Sequence, residues 1–225
     1  MLNPGAVLTP WTDDAAAVLT MFMPGLEMGN ALSDILYGDV NPSGRLPLTF
    51  PNIDNEQNFT QSQWPGLPVA TGKESTYTEK LEVGYRWYDA HNVVPKYPFG
   101  HGMSYTTFDY SGLSVVGLNV SFTVKNAGAV AGAEIPQLYL GFPESAGEPP
   151  KVLRGFEKIA LEAGAAKTIT FALDSGFLSV WDATLHGWAP VQGTFGVFVG
   201  ASSRDIRLNG TMTHSNSAAT VEAWK

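Results

Sequence analysis

The residues from Leu118 to Gly128 read LNVSFTVKNAG, the pattern of a β-strand that runs into a turn. Apolar Leu118, Val120, Phe122 and Val124 alternate with polar residues, which places the apolar side chains on one face of an extended chain. The Asn-Ala-Gly sequence that follows is rich in turn-forming residues. This stretch therefore predicts a half-buried strand at the edge of a hydrophobic core.

Further strands are predicted after the turn, with short segments between them. The candidates are Ile135 to Phe142, Val152 to Ile159, Lys167 to Leu173, and Thr194 to Val199. Turn residues separate them, and roughly seven short strands fit into such a length of chain. We therefore expect residues 106–212 to form an antiparallel β-sandwich, followed by a tail at 213–225.

The region before the sandwich, residues 51–105, has little periodicity but many aromatic residues, including the run Tyr85-Arg86-Trp87-Tyr88. So long a stretch without secondary structure would be unusual inside a compact domain. We therefore predict an extended connector that lies in a groove between domains. Its aromatic side chains either fill that groove or stack on sugar rings.

Residues 1–50 have the pattern of a partial α/β domain. Apolar runs at Ala6 to Leu8 and Ala15 to Met23 suggest strands, and the stretch 30–37 has helical spacing with Asn30 as a candidate cap and Gly38 as its end. Parallel strands need neighbours on both sides. We therefore expect residues 1–50 to be the C-terminal remnant of a larger α/β domain, which gives a mainly β chain overall.

Composition excludes several classes of partner. The 225 residues carry a net charge of −8, and no basic run offers a footprint for nucleic acid or for an anionic membrane surface. A run of apolar residues long enough to span a membrane is absent, and the first residues, MLNPGAVLTPW, do not predict a signal peptide. Cysteine is absent, which removes disulfides and zinc–cysteine sites.

Metal and cofactor chemistry is not indicated. The four histidines, His91, His101, His186 and His214, are scattered, whereas a metal site needs convergent ligands. Loops of the nucleotide-binding type and the Gly-x-Ser-x-Gly elbow are missing as well. We therefore predict no metal and no cofactor.

Glu27 is the one carboxylate that we single out as a catalytic candidate. It lies in the turn just before the predicted helix, where it would meet the positive end of the helix or the edge of a cleft. The simpler alternative is a carboxylate that only stabilises the first turn. Asp39, after the helix, is most simply a turn residue.

Several long motifs resemble family-3 glycoside hydrolases, the β-glucosidases and β-xylosidases. PGLEMGNALSDILYGDVNPSGRLPLTFP, from Pro24 to Pro51, is similar to the closing helix of the α/β-sandwich domain, and VGYRWYDAHNVVPKYPFGHGMSYTTFDYS to the segment that leaves it. The motifs IPQLYLGFP, PPKVLRGFEKIAL, LSVWD and GTFGVFVGASSRDIRL are similar to the family's fibronectin type III-like domain. The resemblance runs from about residue 5 to residue 210.

The resemblance implies a three-part enzyme in which a barrel and an α/β domain precede the fibronectin-like domain. Retaining hydrolysis needs a nucleophile and an acid/base about 5–5.5 Å apart. The family's nucleophile lies in a Ser-Asp-Trp type of motif, which this sequence lacks; Ser33-Asp34-Ile35 falls inside the predicted helix. The acid/base precedes the turn that contains Glu27, so we expect that segment to fall before residue 1.

We therefore predict the C-terminal structural part of a β-glucosidase-like enzyme, whose parent hydrolyses terminal β-linked glucose and whose fragment is inactive alone. Its partners would be the missing barrel and α/β domain. The alternatives are a free-standing carbohydrate-binding module, with Trp181, Trp188 and Phe198 as stacking candidates, and a protein-interaction domain. Possible N-glycosylation sites at Asn58, Asn119 and Asn209 favour an extracellular parent enzyme.

Overall fold

The computed structural model describes residues 1–215 of the chain. Helix α1 spans Met28–Tyr37 and helix α2 spans Tyr85–Ala90. The strands are β1 Leu67–Val69, β2 Gly72–Glu74, β3 Phe108–Val116, β4 Asn119–Asn126, β5 Gly132–Glu134, β6 Gln137–Gly141, β7 Val152–Phe156, β8 Ile159–Leu161, β9 Ala166–Ala172, β10 Ser179–Asp182, β11 Gly187–Pro190, β12 Gly193–Gly200 and β13 Ile206–His214. Short 3-10 turns lie at Pro10–Asp14, Glu144–Ala146 and Ser175–Leu178.

Two antiparallel sheets enclose the hydrophobic core. One sheet has the strand order β13-β12-β6-β7 and the other has the order β3-β4-β9; β5 pairs with β8, and β10 with β11. The alternating residues Val120, Phe122 and Val124 of β4 are fully buried and belong to one cluster with Phe195 and Val197 of β12. The predicted mainly β fold with a fibronectin type III-like sandwich is confirmed, because the alternation of β4 does place one face in the core.

The strand boundaries differ from the sequence prediction where the alternation is broken. The predicted strand from Val152 to Ile159 is two strands, β7 and β8, which pair with different partners. The long strand β3 was not identified by pattern, because Gly112 adopts a left-handed φ of +66° beside a register shift in its pairing with β4. Strand β13 continues to His214, beyond the predicted domain boundary at 212. The rest of the predicted tail, residues 216–225, lies outside the described residues.

Residues 51–105 contain short elements of their own. The hairpin β1–β2 and helix α2 interrupt the predicted extended connector. Its end is fastened to the sandwich where Gln137 Nε2 donates to the carbonyl of Gly100 (3.1 Å). Gly100 has a φ of +80°, and a Cβ there would lie 2.1 Å from Gln137 Oε1, so only glycine permits this close approach.

The strands predicted at Ala6 to Leu8 and Ala15 to Met23 are not formed, and this prediction was wrong. Only one bridge of parallel type is present, in which Met1 donates to Leu19 O (2.8 Å) and accepts from Met21 N (3.0 Å). The described residues supply no further parallel strands beside this bridge. Parallel strands are stable only within a sheet that covers them on both sides, so these segments stay irregular.

Helix α1 forms where it was predicted but begins earlier. Glu27 occupies the N-cap position, while Asn30 lies within the helix and donates its side-chain amide to Glu27 Oε2 (2.6 Å). The prediction that Asn30 caps the helix was therefore wrong, since the backbone is already helical at Met28. Gly38 ends the helix in the left-handed conformation, as predicted. Not one residue of α1 is buried.

Candidate functional site

The catalytic candidate Glu27 lies on the surface. Its carboxylate is exposed and contacts the side chain of Asn30 at the start of α1. Asp39 is exposed beyond the other end of this helix. The ten residues of α1 place the two carboxylates about 15 Å apart along the helix axis at 1.5 Å per residue. This spacing is well above the distance that retaining hydrolysis needs.

Neither a metal centre nor a membrane-spanning helix is seen in the part of the chain that the structure describes. Residues 1–215 bring no three His, Cys, Asp or Glu side chains together as metal ligands. Within the same residues, no helix has the length and apolar character to cross a bilayer. The three sequon residues Asn58, Asn119 and Asn209 are all exposed, and their glycosylation stays a prediction.

A broad exposed apolar surface is the main feature of residues 1–105. Leu26 is 97% exposed and Tyr37 is 84% exposed, although both lie in or beside a helix that has an apolar face. Other large apolar side chains that face solvent in this region are Leu2, Met23, Leu36, Ile53, Trp64, Tyr77, Val94 and Met103. We refer to these side chains together as the exposed apolar surface.

A cluster of charges, which we term the Asp89 cluster, fastens α2 to the sandwich. Asp89 is 4% exposed and pairs with Lys151 Nζ (2.5 Å) and Arg204 Nε (3.0 Å). Arg204 also donates to the carbonyls of Tyr88 (2.9 Å) and Val93 (2.6 Å) near the end of the helix. Charged hydrogen bonds to this buried carboxylate fix α2 against the residue before strand β7 and the loop after β12.

The aromatic run of α2 fills the contact with the sandwich. The ring of Tyr85 stacks on Phe99 (4.9 Å between centroids) and meets fully buried Tyr139 edge-on (5.8 Å). Tyr88 is buried and donates its hydroxyl to Glu56 (2.7 Å). Burial and this carboxylate raise the pKa of Tyr88 above its usual range, so the phenol stays protonated. These contacts favour groove filling over sugar stacking for Tyr85 and Tyr88.

A second buried ion pair joins the segment after α1 to the sandwich. Arg45 NH2 lies 2.7 Å from Glu134 Oε1, and the two side chains are only 7% and 4% exposed. The pair lines a polar cavity of about 200 Å³ together with His101, Ser202 and other residues. Burial and the positive charge of Arg45 hold the pKa of His101 below its usual range.

Sequence reasoning missed Arg45, Glu134, Asp89 and Arg204, because it searched for paired catalytic groups. A usable signal was present. Only 15% of the chain is charged, and Arg45, Asp89 and Arg204 all lie within the motifs that carry the family resemblance.

The hairpin β10–β11 carries an exposed aromatic pair. Trp181 and Trp188 are cross-strand partners whose rings meet edge-on at 5.7 Å. They are 55% and 42% exposed, whereas Phe198 is only partly exposed in β12. Of the three stacking candidates, the two tryptophans are thus the more accessible.

Comparison with known proteins accounts for most of the chain. Residues 1–105 match the profile of the glycosyl hydrolase family 3 C-terminal domain, and residues 134–203 match that of the fibronectin type III-like domain. The chain is 42% identical over 231 residues to probable β-glucosidase D of Aspergillus niger, covering 92% of this chain and 29% of that protein. It is also 42% identical over 217 residues to thermostable β-glucosidase B of Acetivibrio thermocellus, covering 92% of this chain and 28% of that protein.

Solved structures agree with the sequence matches. The β-glucosidase DesR of Streptomyces venezuelae, solved with D-glucose, superimposes with a TM-score of 0.86 at 39% identity, over 92% of this chain and 27% of that chain. A family-3 β-glucosidase of Bifidobacterium adolescentis superimposes with a TM-score of 0.87 at 34% identity, over 100% of this chain and 34% of that chain. The chain thus spans about a third or less of these proteins. On these grounds the chain belongs to glycosyl hydrolase family 3, of which it carries the C-terminal domain region and the fibronectin type III-like domain.

Proposed function

We propose that this chain is the C-terminal structural part of a retaining β-glucosidase-type enzyme, whose reaction is hydrolysis of terminal β-linked glucose residues. The observation that carries the proposal is α1, an amphipathic helix in a family-3 C-terminal domain with no residue buried. The apolar face of α1 needs a partner, and the occupant that we assign to it is the remainder of the α/β domain.

The role of the sandwich in this proposal is to hold α2 and the connector in place. The Asp89 cluster and the Arg45–Glu134 pair are buried, so they are not screened like surface ion pairs. They fix residues 45–105 on a rigid sandwich whose core is separate from the exposed apolar surface. The N-terminal part of the enzyme would then dock on a surface whose conformation these ion pairs have already fixed.

Catalysis by the chain alone is not expected, because transition-state stabilisation needs a nucleophile, an acid/base and a sugar pocket together. Glu27 is exposed and caps a helix. The purified chain should therefore release no aglycone from an aryl β-glucoside above the buffer background. Robust turnover that Glu27→Gln abolishes would show that Glu27 is catalytic and that the proposal is wrong.

A chimera tests the structural role directly. Residues 1–215 would replace the matching C-terminal part of the Aspergillus niger relative, which is 42% identical. We expect the chimera to hydrolyse an aryl β-glucoside, whereas the relative without its C-terminal part does not. The matched control carries the corresponding part of probable β-glucosidase L of Aspergillus terreus, which is also 42% identical to this chain. An active control beside a folded but inactive chimera would contradict the proposal.

The second candidate function, a carbohydrate-binding module, is favoured by the exposed Trp181–Trp188 pair. Aromatic faces offer a large contact area at low entropic cost. Binding of the chain to an insoluble β-glucan, lost in Trp181→Ala and Trp188→Ala but kept in Trp64→Ala, would support this function. If all three variants bind the β-glucan equally well, the hairpin is excluded as the binding site.

A further inference from the structure

The polar cavity beside the Arg45–Glu134 pair lies between the connector and the sandwich. It has a volume of about 200 Å³ and is lined by residues from three separate stretches of the chain, around Arg45, His101–Phe108 and Ala201–Arg207, together with Glu134. Most of the residues that line it are polar or charged, with Phe108 and Ala201 among the exceptions. A cavity of this kind holds water or a polar ligand.

The guanidinium group of Arg45 lines the cavity, but its accessible nitrogens are already engaged. The side chain is only 7% exposed; its NH2 group is bound by Glu134 (2.7 Å) and its NH1 group by the carbonyl of Gly44 (3.2 Å). The Nε atom is buried and has no partner within the described residues. Because Nε is inaccessible to a water-sized group, a ligand in the cavity would meet the Arg45 guanidinium only as a positive charge that Glu134 already pairs.

Other groups at the cavity have free hydrogen-bonding capacity. Ser202 Oγ accepts from the backbone amides of Arg204 (3.2 Å) and Asp205 (2.9 Å), and its own proton remains available to donate. In residues 1–215 the imidazole of His101 makes no hydrogen bond and stacks on Tyr97. A neutral imidazole supplies one donor and one acceptor.

The charges of the walls are balanced. Arg45 is paired with Glu134, and Arg207 with Asp205 (2.8 Å between NH2 and Oδ2). An anion would meet the carboxylates, and a cation would meet the guanidinium groups. A neutral hydroxyl group avoids both conflicts, because it donates to a carboxylate and accepts from a guanidinium at the same time.

We propose that this cavity is a binding site for a small neutral polyol, of the size of glycerol or a single sugar ring. The space is sufficient for several water molecules but smaller than the pockets of drug-sized ligands, which sets the size class. The ligand's hydroxyl groups would accept from Ser202 Oγ and would exchange hydrogen bonds with the ring nitrogens of His101. This site is independent of the function proposed above and of the tryptophan hairpin.

The test is a titration of the full chain, labelled with ¹⁵N, with glycerol and with D-glucose. Backbone amides of Gly102, Ser202 and Thr107 should shift in a saturable way with millimolar affinity. His101→Phe removes both ring nitrogens and keeps the aromatic stacking on Tyr97, so we expect binding at least about tenfold weaker. His186→Phe on the exposed hairpin is the matched control and should bind as the unaltered chain does.

Chemical shifts are used because glycerol raises the thermal stability of proteins without binding to a site. Should His101→Phe fail to fold, Ser202→Ala tests the same site, and it should also weaken the saturable shifts. Linear, unsaturated shifts, or saturable shifts that neither cavity variant weakens, would mean that the cavity holds only water. Loss of the shifts in Trp181→Ala but not in the cavity variants would place the sugar on the hairpin and overturn the proposal.

Discussion

Single buried charges determine how the connector is held. Asp89 is shared by Lys151 and Arg204, so one carboxylate ties α2 to two separate segments of the sandwich. The loss of one partner from a buried ion pair is costly because the remaining charge keeps its desolvation penalty without compensation. Exposed pairs such as Lys167–Glu157 contribute much less to stability, because water already solvates both charges.

Asp89→Ala should therefore lower the free energy of unfolding by about 3 kcal/mol or more. Lys151 and Arg204 would lose their shared carboxylate while still largely shielded from water. Urea denaturation of the full chain measures the effect. The control Glu157→Ala should change stability by no more than about 0.5 kcal/mol, and equal effects of the two changes would contradict this role of Asp89.

His101 makes stability dependent on pH. Burial and Arg45 depress its pKa in the folded state, so the unfolded chain binds a proton first as the pH falls. This contribution to stability is complete above the unfolded pKa of about 6.5 and is lost as the pH falls through the depressed folded pKa. His101→Gln should therefore flatten the decline of the unfolding free energy below about pH 6.5. Unchanged slopes in urea titrations at several pH values would refute this.

At the scale of elements, the N-terminal segment and the sandwich differ in how much of their surface is covered. Helix α1 has no buried residue, and the segment before it is held by a single parallel bridge and a few side-chain contacts. Strands β4, β6 and β12 have fully buried faces. Local opening needs least free energy where few apolar contacts must be broken.

Limited proteolysis should accordingly remove residues 1–40 first. We expect early cleavage near the exposed Gly25 or the exposed Gly38, followed by a fragment that resists digestion and retains the sandwich. Mass spectrometry of the time course identifies the cuts. Protection of residues 1–40 equal to that of β4 would mean that the apolar surface is already covered, by the sandwich or by a second copy.

Within residues 1–215, the large cluster of buried apolar residues lies in the sandwich. The cluster of buried residues runs from Phe108 to Met212 and includes no residue of the connector. Contacts from residues 1–105 reach the outside of this core, for instance where Tyr85 covers Tyr139. A core that is complete without the N-terminal part supports independent folding.

A polypeptide of residues 106–212 should unfold in one cooperative transition. It should be less stable than the full chain by at least about 1 kcal/mol, because Tyr139 loses its aromatic neighbour Tyr85. Circular dichroism and tryptophan fluorescence during urea denaturation should give coincident curves. A gradual melt without a common midpoint would show that the sandwich depends on the connector.

Much of the fold follows from local patterns. The alternation at β4 is enough to predict a sandwich strand, since a period of two places every second side chain on the same face. The helical spacing of α1 and its end at Gly38 also follow from nearby residues. Asn30 was misread as the cap, because several polar residues near a helix start can serve as caps and the backbone decides among them.

Local patterns in the sequence were enough to determine the sandwich and helix α1, but not helix α2. They could not place Arg45 beside Glu134 or Asp89 beside Lys151 and Arg204, because residues so distant in the chain meet only after the strands have paired. Tertiary structure alone decided which charges are buried, that α1 stays exposed and that a polar cavity forms between the connector and the sandwich. The physical reason is that periodicity is a property of neighbouring residues, whereas burial, ion pairing and cavities depend on which surfaces pack together.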